Sequence, residues 1–187
     1  MNTSRPTIAG AVRRILTEVG ENPERDGLKD TPMRVAKALQ EFTSGYTIDP
    51  AKLLTTFEET EYDEMVIVKD IPIYSKCEHH LETFFGTVTI GYIPQGRVVG
   101  LSKLSRLADV YAKRLQVQER LTHQIADALF TSEIKPRGVG VLVSCRHMCM
   151  EARGICKQGH HTITSALRGV IKEGMPRAEF LKLAGEK

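Results

Sequence analysis

Two short stretches, Cys77-Glu78-His79-His80 and Cys145-Arg146-His147-Met148-Cys149, concentrate thiols and imidazoles. A Cys-x-x-His spacing offers one thiolate and one imidazole to a single ion, provided the chain turns between them. In an ideal strand, positions 77 and 80 project to opposite faces, so the spacing predicts a turn or bulge. In the second stretch an extended chain places 145, 147 and 149 on one face with Val141 and Val143. One edge could then present two thiols and an imidazole. Soft ligands of this mix select zinc over magnesium or calcium. Three protein ligands leave a coordination position open for catalysis, and four close the site and make it structural. Cys145 decides between these readings, because Cys77, His80, Cys145 and Cys149 together make a closed site. Spacing alone leaves both open. The other reading of Cys145, and of Cys156, is a buried thiol packed as a small hydrophobe. His79 and His147 stand beside ligand candidates and can move protons near neutral pH. Without the metal cluster they would read as ordinary core histidines.

These residues must be positioned by regular elements. Ile8, Val12, Ile15, Leu16 and Val19 recur at helical spacing over 7–19, and Gly20 offers a stop. Thr31-Pro32 predicts a helix start, a capping side chain followed by proline, running to about Ser44. Residues 46–63 read as an irregular connection. Val- and Ile-rich runs predict strands over Met65–Ile73 and Phe84–Ile93, with Gly96 in the turn after them. Helices follow from Ser102 through Tyr111 and from about Val117 to Phe130, the second with Leu121, Ile125 and Leu129 on one face. Val139, Val141 and Val143 begin a strand that should reach the region of Met148. A last strand over 162–171 and a short helix near 176–184 complete the order. This is α+β, an antiparallel sheet backed by helices on one face. The expected organisation is an N-terminal helical segment, 1–60, and a catalytic domain, 61–187.

Composition narrows the function classes. A chain of 187 residues with 41% hydrophobic and 26% charged residues has ordinary globular make-up and fits one domain, or one domain with a small appended segment. A net charge of +3 is too weak to argue for nucleic acid, and no basic run interleaved with aromatics appears. The N-terminus lacks an unbroken apolar core, and no stretch is apolar enough to span a bilayer, so neither secretion nor a membrane is expected. Four cysteines in a chain expected to be cytoplasmic favour metal or thiol chemistry over disulfides.

The stretches DTPMRVAK (30–37), CEHHLETFFG (77–86), YIP (92–94), GLSKLSR (100–106), RLQVQERLT (114–122), HMCMEARG (147–154) and TITSALRGV (162–170) keep one order along the chain. In combination they closely resemble the GTP cyclohydrolase I family. The resemblance implies an open site with one zinc ion per subunit on Cys77, His80 and Cys149, leaving Cys145 outside. It implies the tunnelling fold (T-fold) and a homodecameric toroid with active sites at subunit interfaces. The implied reaction converts GTP and water to 7,8-dihydroneopterin triphosphate and formate. His147 would protonate N7 of the opening ring, and His79 would handle other proton transfers. Ser102, Lys103, Arg106 and Arg153 match the triphosphate contacts, joined by Lys37 from a neighbouring subunit.

Elementary chemistry is consistent with those roles. Helix N-termini attract anions, and Lys103 and Arg106 are three apart on one helix face. A carboxylate can accept from both N1 and the exocyclic amine of guanine, the role that the resemblance gives to Glu119, with Gln118 beside it as a further substrate contact. Taken singly, each Lys or Arg would read as a solvated charge, and Glu119 as an acid favouring its helix N-terminus. Glu82-Thr83 and the Gly159-His160-His161 run depart from the family pattern, and His160 or His161 could alter metal or phosphate contacts. The short N-terminal segment carries the expectation of no feedback control through a regulatory partner. Two alternatives remain: a relative acting on another purine or pterin, and a non-catalytic nucleotide-binding protein with structural zinc. The second requires Cys145 on the metal.

Overall fold

The computed structural model describes residues 4–185, so the first three and last two residues of the expected segments lie outside the described residues. The chain forms two compact units, Met1–Ser44 and Gly45–Lys187. In the first, helices α1 (Ser4–Glu18) and α2 (Thr31–Phe42) pack together, burying Val12 and Ala36. The expected cap moves by one residue. Asp30, not Thr31, stands at the N-cap of α2, and its side chain makes no capping bond. Its carboxylate pairs with Arg34 at 3.2 Å, one turn on, and its backbone is already helical, with φ −92° and ψ −13°, not the extended form that aims a capping oxygen at the free N–H groups.

The second unit is built on a five-stranded sheet. Its strands are β2 (Val66–Cys77), β3 (Thr83–Ile93), β5 (Leu115–Gln116), β6 (Gly138–His147) and β7 (Thr162–Gly169). They lie in the order β5-β2-β3-β6-β7, antiparallel except for the short β5–β2 pair. Beside it, β1 (Thr56–Glu58) and β4 (Arg97–Val99) form a separate two-stranded ribbon. The ribbon and β5 are too short to carry a period-2 signal, so hydrophobic alternation does not reveal them.

Helices α3 (Leu101–Ala112) and α4 (Gln118–Phe130) cover one face of the sheet. Leu104, Leu107, Leu121, Ile125 and Leu129 meet Ile73, Phe84, Val88, Ile90, Val141 and Val143, all buried. This is the α+β arrangement of an antiparallel sheet backed by helices. The C-terminal helix α6 (Gly174–Gly185) adds a smaller core built on Ile93, Leu167, Ile171 and Phe180. The Phe180 ring lies so close to Gly91 and Gly140 that a Cβ on either would fall within 3 Å of it.

Candidate metal centre

The predicted turn at Cys77 exists. Strand β2 ends there, and the chain reverses through 78–82 before β3. The reversal is closed by hydrogen bonds from the Leu81 N–H to the Cys77 carbonyl and from the Cys77 N–H to the Glu82 carbonyl, both 2.8 Å. Leu81 takes a left-handed φ of 56° to complete it, a conformation that costs a branched residue energy and is kept where surrounding structure demands it. The turn brings Cys77 Sγ to 3.8 Å from His80 Nδ1. His79, on the exposed side of the same turn, places its Nδ1 3.9 Å from Cys77 Sγ.

At the other stretch the extended reading holds only to His147. There β6 ends and a single helical turn, α5 (Met148–Glu151), begins. Cys149 therefore leaves the face it would have shared with Cys145. That change of direction brings the ligand atoms of Cys77, His80 and Cys149 within 4.8 Å of one another. Cys145 stays on the strand, fully buried opposite Gly86 in the main core, outside this group. Burial pushes its thiol up to about 12.

The donor set fits a zinc-sized dication. At Zn–S and Zn–N lengths of about 2.3 and 2.0–2.1 Å, a tetrahedral ion separates its ligands by about 3.5–3.8 Å, so only a small contraction is needed. Burial and the nearby Cys77 sulfur raise the Cys149 thiol. Two thiolates this close repel, and a dication between them relieves that repulsion.

Each ligand-bearing corner is held by an Arg–Glu fork that the sequence reading missed. Glu78 of the turn takes two hydrogen bonds from the Arg120 guanidinium on α4, one of them 3.0 Å. This contact holds the Glu78 carboxyl below its usual range. The Glu78 N–H also donates to the Gln116 carbonyl at 3.0 Å, tying the turn to β5. At the second corner, Arg146 on β6 forks onto Glu151 on α5, with Nε to Oε1 at 3.0 Å. That carboxylate is 4% exposed and its pKa is lowered, first by the Arg146 hydrogen bond.

His147 stacks on Phe84 with ring centroids 4.9 Å apart and planes 9° apart. Its Nε2 lies 2.8 Å from Gln118 Oε1. Burial lowers its pKa, while the nearby Glu119 charge acts in the opposite direction. Gln118 is buried, whereas Glu119, next in the first turn of α4, is exposed. A signal for the burial of Gln118 did exist. It sits three residues before Leu121 and seven before Ile125, on the apolar face of α4. Arg153 is exposed beyond α5, and its charge acts on Cys149. Ser102, Lys103 and Arg106 stand on the first turns of α3, one residue further into the helix than expected because Leu101 opens it. Lys37 is exposed on α2. The structure thus gathers Cys77, His79, His80, Cys149, His147, Gln118 and Glu119. Among the described residues of the second unit, no hydrogen bond or ion pair ties Ser102, Lys103 or Arg106 to that group.

Comparison with known proteins gives a consistent picture. A family profile described as GTP cyclohydrolase I matches residues 8–185. The chain is 57% identical over 178 residues to a GTP cyclohydrolase 1 of Janthinobacterium sp. (strain Marseille), covering 94% of this chain and 89% of that one. It is 55% identical over 183 residues to the GTP cyclohydrolase 1 of Saccharomyces cerevisiae, covering 96% and 74%. A third similar protein, GTP cyclohydrolase 1 of Mycolicibacterium vanbaalenii, is 56% identical over 176 residues, covering 92% and 87%.

Proposed function

This chain belongs to the GTP cyclohydrolase I family, and we propose that it hydrolyses GTP at C8 of guanine over a zinc ion held by Cys77, His80 and Cys149. The products are formate and 7,8-dihydroneopterin triphosphate. The observation that carries the catalytic form of the site is the convergence of three donor atoms within 4.8 Å while Cys145 stands apart. When bound, zinc with three protein ligands lowers the pKa of a water in its open position to about 7 and so supplies a nucleophile at neutral pH.

The chain's own residues bind, orient and move protons. His147, held flat against Phe84, delivers a proton to N7 as the imidazole ring opens. His79, exposed beside Cys77, serves the remaining proton transfers. The exposed carboxylate of Glu119 accepts from guanine N1 and its amine, a paired contact that discriminates guanine from adenine. Gln118 stands beside it. Ser102, Lys103, Arg106 and Arg153 hold the triphosphate, aided by the N-terminus of α3. Lys37 completes that anion site from a neighbouring subunit of a homodecamer, which places active sites at subunit interfaces. Among the described residues no helix is long and apolar enough to cross a membrane. Four free cysteines agree with a cytoplasmic enzyme.

The deciding experiment measures GTP turnover and metal content on one sample. The expected result is formate release and a pterin that fluoresces after oxidation, in proportion to zinc. Zinc-loaded protein that leaves GTP intact would overturn the proposal.

A further inference from the structure

The side-chain amide of Gln118 is oriented without ambiguity. Its Nε2 lies 3.1 Å from the Val143 carbonyl oxygen and 2.9 Å from that of Thr162. Carbonyl oxygens only accept, so the NH2 end must face them, and a flipped amide would set Oε1 against two acceptors in a buried site. Thr164 Oγ1 at 3.1 Å adds a third acceptor, and it meets Thr122 Oγ1 at 2.6 Å. Thr122 also donates to the Gln118 main-chain carbonyl at 2.7 Å. This network joins α4, β6 and β7 around a side chain that is 2% exposed. Only Oε1 is left for His147, and Oε1 can only accept. His147 Nε2 at 2.8 Å must therefore carry a hydrogen. The Phe84 stack fixes the ring plane, and turning the ring over would replace the Nε2–H donor with carbon at Oε1.

We propose that Gln118 is a positioning residue that pins the His147 proton on Nε2, leaving Nδ1 as the ring nitrogen that exchanges protons with the substrate. The inference rests on the proposed role of His147 toward guanine. As the nucleophilic oxygen bonds to C8, the electron pair of the C8–N7 double bond moves to N7. N7 takes the proton from Nδ1, and the imidazolium returns to a neutral ring that still holds its Nε2 proton. The proton released by the nucleophile leaves through His79. Gln118 therefore supports the reaction from behind the histidine, with its amide engaged by the protein and not by guanine.

Nitrogen-15 spectra of histidine-labelled, zinc-loaded protein test this, with the His147 signals assigned by their loss in His147→Ala. The neutral ring should be protonated on Nε2 in the wild type. Gln118→Met, close in size but without an acceptor, should lose that preference and lower kcat by about 10-fold or more, with KM for GTP within about twofold. Should Gln118→Met not fold, the wild-type spectrum decides by itself, because it reads the tautomer without any substitution. Turnover in a wild type whose neutral His147 is protonated on Nδ1 would overturn the inference. So would a raised KM in Gln118→Met with the tautomer unmoved, which would return Gln118 to the substrate-contact role. Failure of the functional reading is separate: it shows as an Nε2-protonated wild type that does not consume GTP.

Discussion

The two corners that carry the candidate metal donors are built with the same device in different surroundings. At the 77–81 turn, Arg120 reaches from another element to grip Glu78, and both side chains are partly open to solvent, 46% and 30% exposed. At the 146–151 corner, Arg146 grips Glu151 only five residues away, and that carboxylate is 4% exposed. The first fork ties distant segments of chain together and is screened by salt. The second locks a local change from strand to helix in poorly solvated surroundings, where losing one partner leaves the other badly compensated. Ligands from both sides are held by paired, directional contacts, but the second corner should tolerate less damage.

The largest effect should come from the ligand at the second corner. Cys149→Ser is expected to lose zinc and more than about 100-fold of activity, beyond the roughly 10–100-fold typical of changes behind the ligands. Metal analysis and turnover on one preparation would show it, and full zinc content in that variant would break the comparison at its root. Next, Glu151→Gln should weaken zinc affinity by up to about 100-fold in chelator competition and lower the thermal midpoint. Arg120→Ala should cost nearer about 10-fold in affinity, with a smaller thermal shift and a deficit that narrows as salt rises. Equal losses at the two corners would show that burial of the second fork does not matter.

Smallest of all is the expected change at Cys145, four residues from Cys149 and outside the donor group. Cys145→Ala should keep its zinc and lose about 1 kcal/mol in denaturant melts, the cost of a small cavity. The fold holds this thiol protonated up to about 12, against 9.0 in a free chain. Its contribution to stability is thus complete below pH 9 and lost as pH rises toward 12. Subtracting the alkaline melting curve of Cys145→Ala from that of the wild type should isolate a loss in that window. A flat difference would mean that the thiol is not shielded as the core implies.

Much of this architecture was legible in the residues themselves. The helix over Leu121, Ile125 and Leu129 and the strands through Val66, Val88 and Val141 follow from apolar periodicity. The turn after Cys77 follows from the need to bring positions 77 and 80 to one side. The reading of 145, 147 and 149 as one face failed past His147, because strand periodicity does not say where the strand ends. The forks at Glu78 and Glu151 were silent for a similar reason: an isolated Glu or Arg looks like a solvated charge until its partner is brought beside it.

Residue types and local spacing determined the chemistry on offer, namely soft donors for a dication, imidazoles for protons and a carboxylate at the start of α4. They act over a few residues, and so they can be read from the chain. Only the tertiary structure decided which thiol joins the converging donors and which is sealed in the core, since that depends on a helical turn replacing the end of β6. It also decided which way the Gln118 amide faces, because its partners Val143, Thr162 and Thr164 are fixed by sheet register across stretches of chain that no local pattern spans.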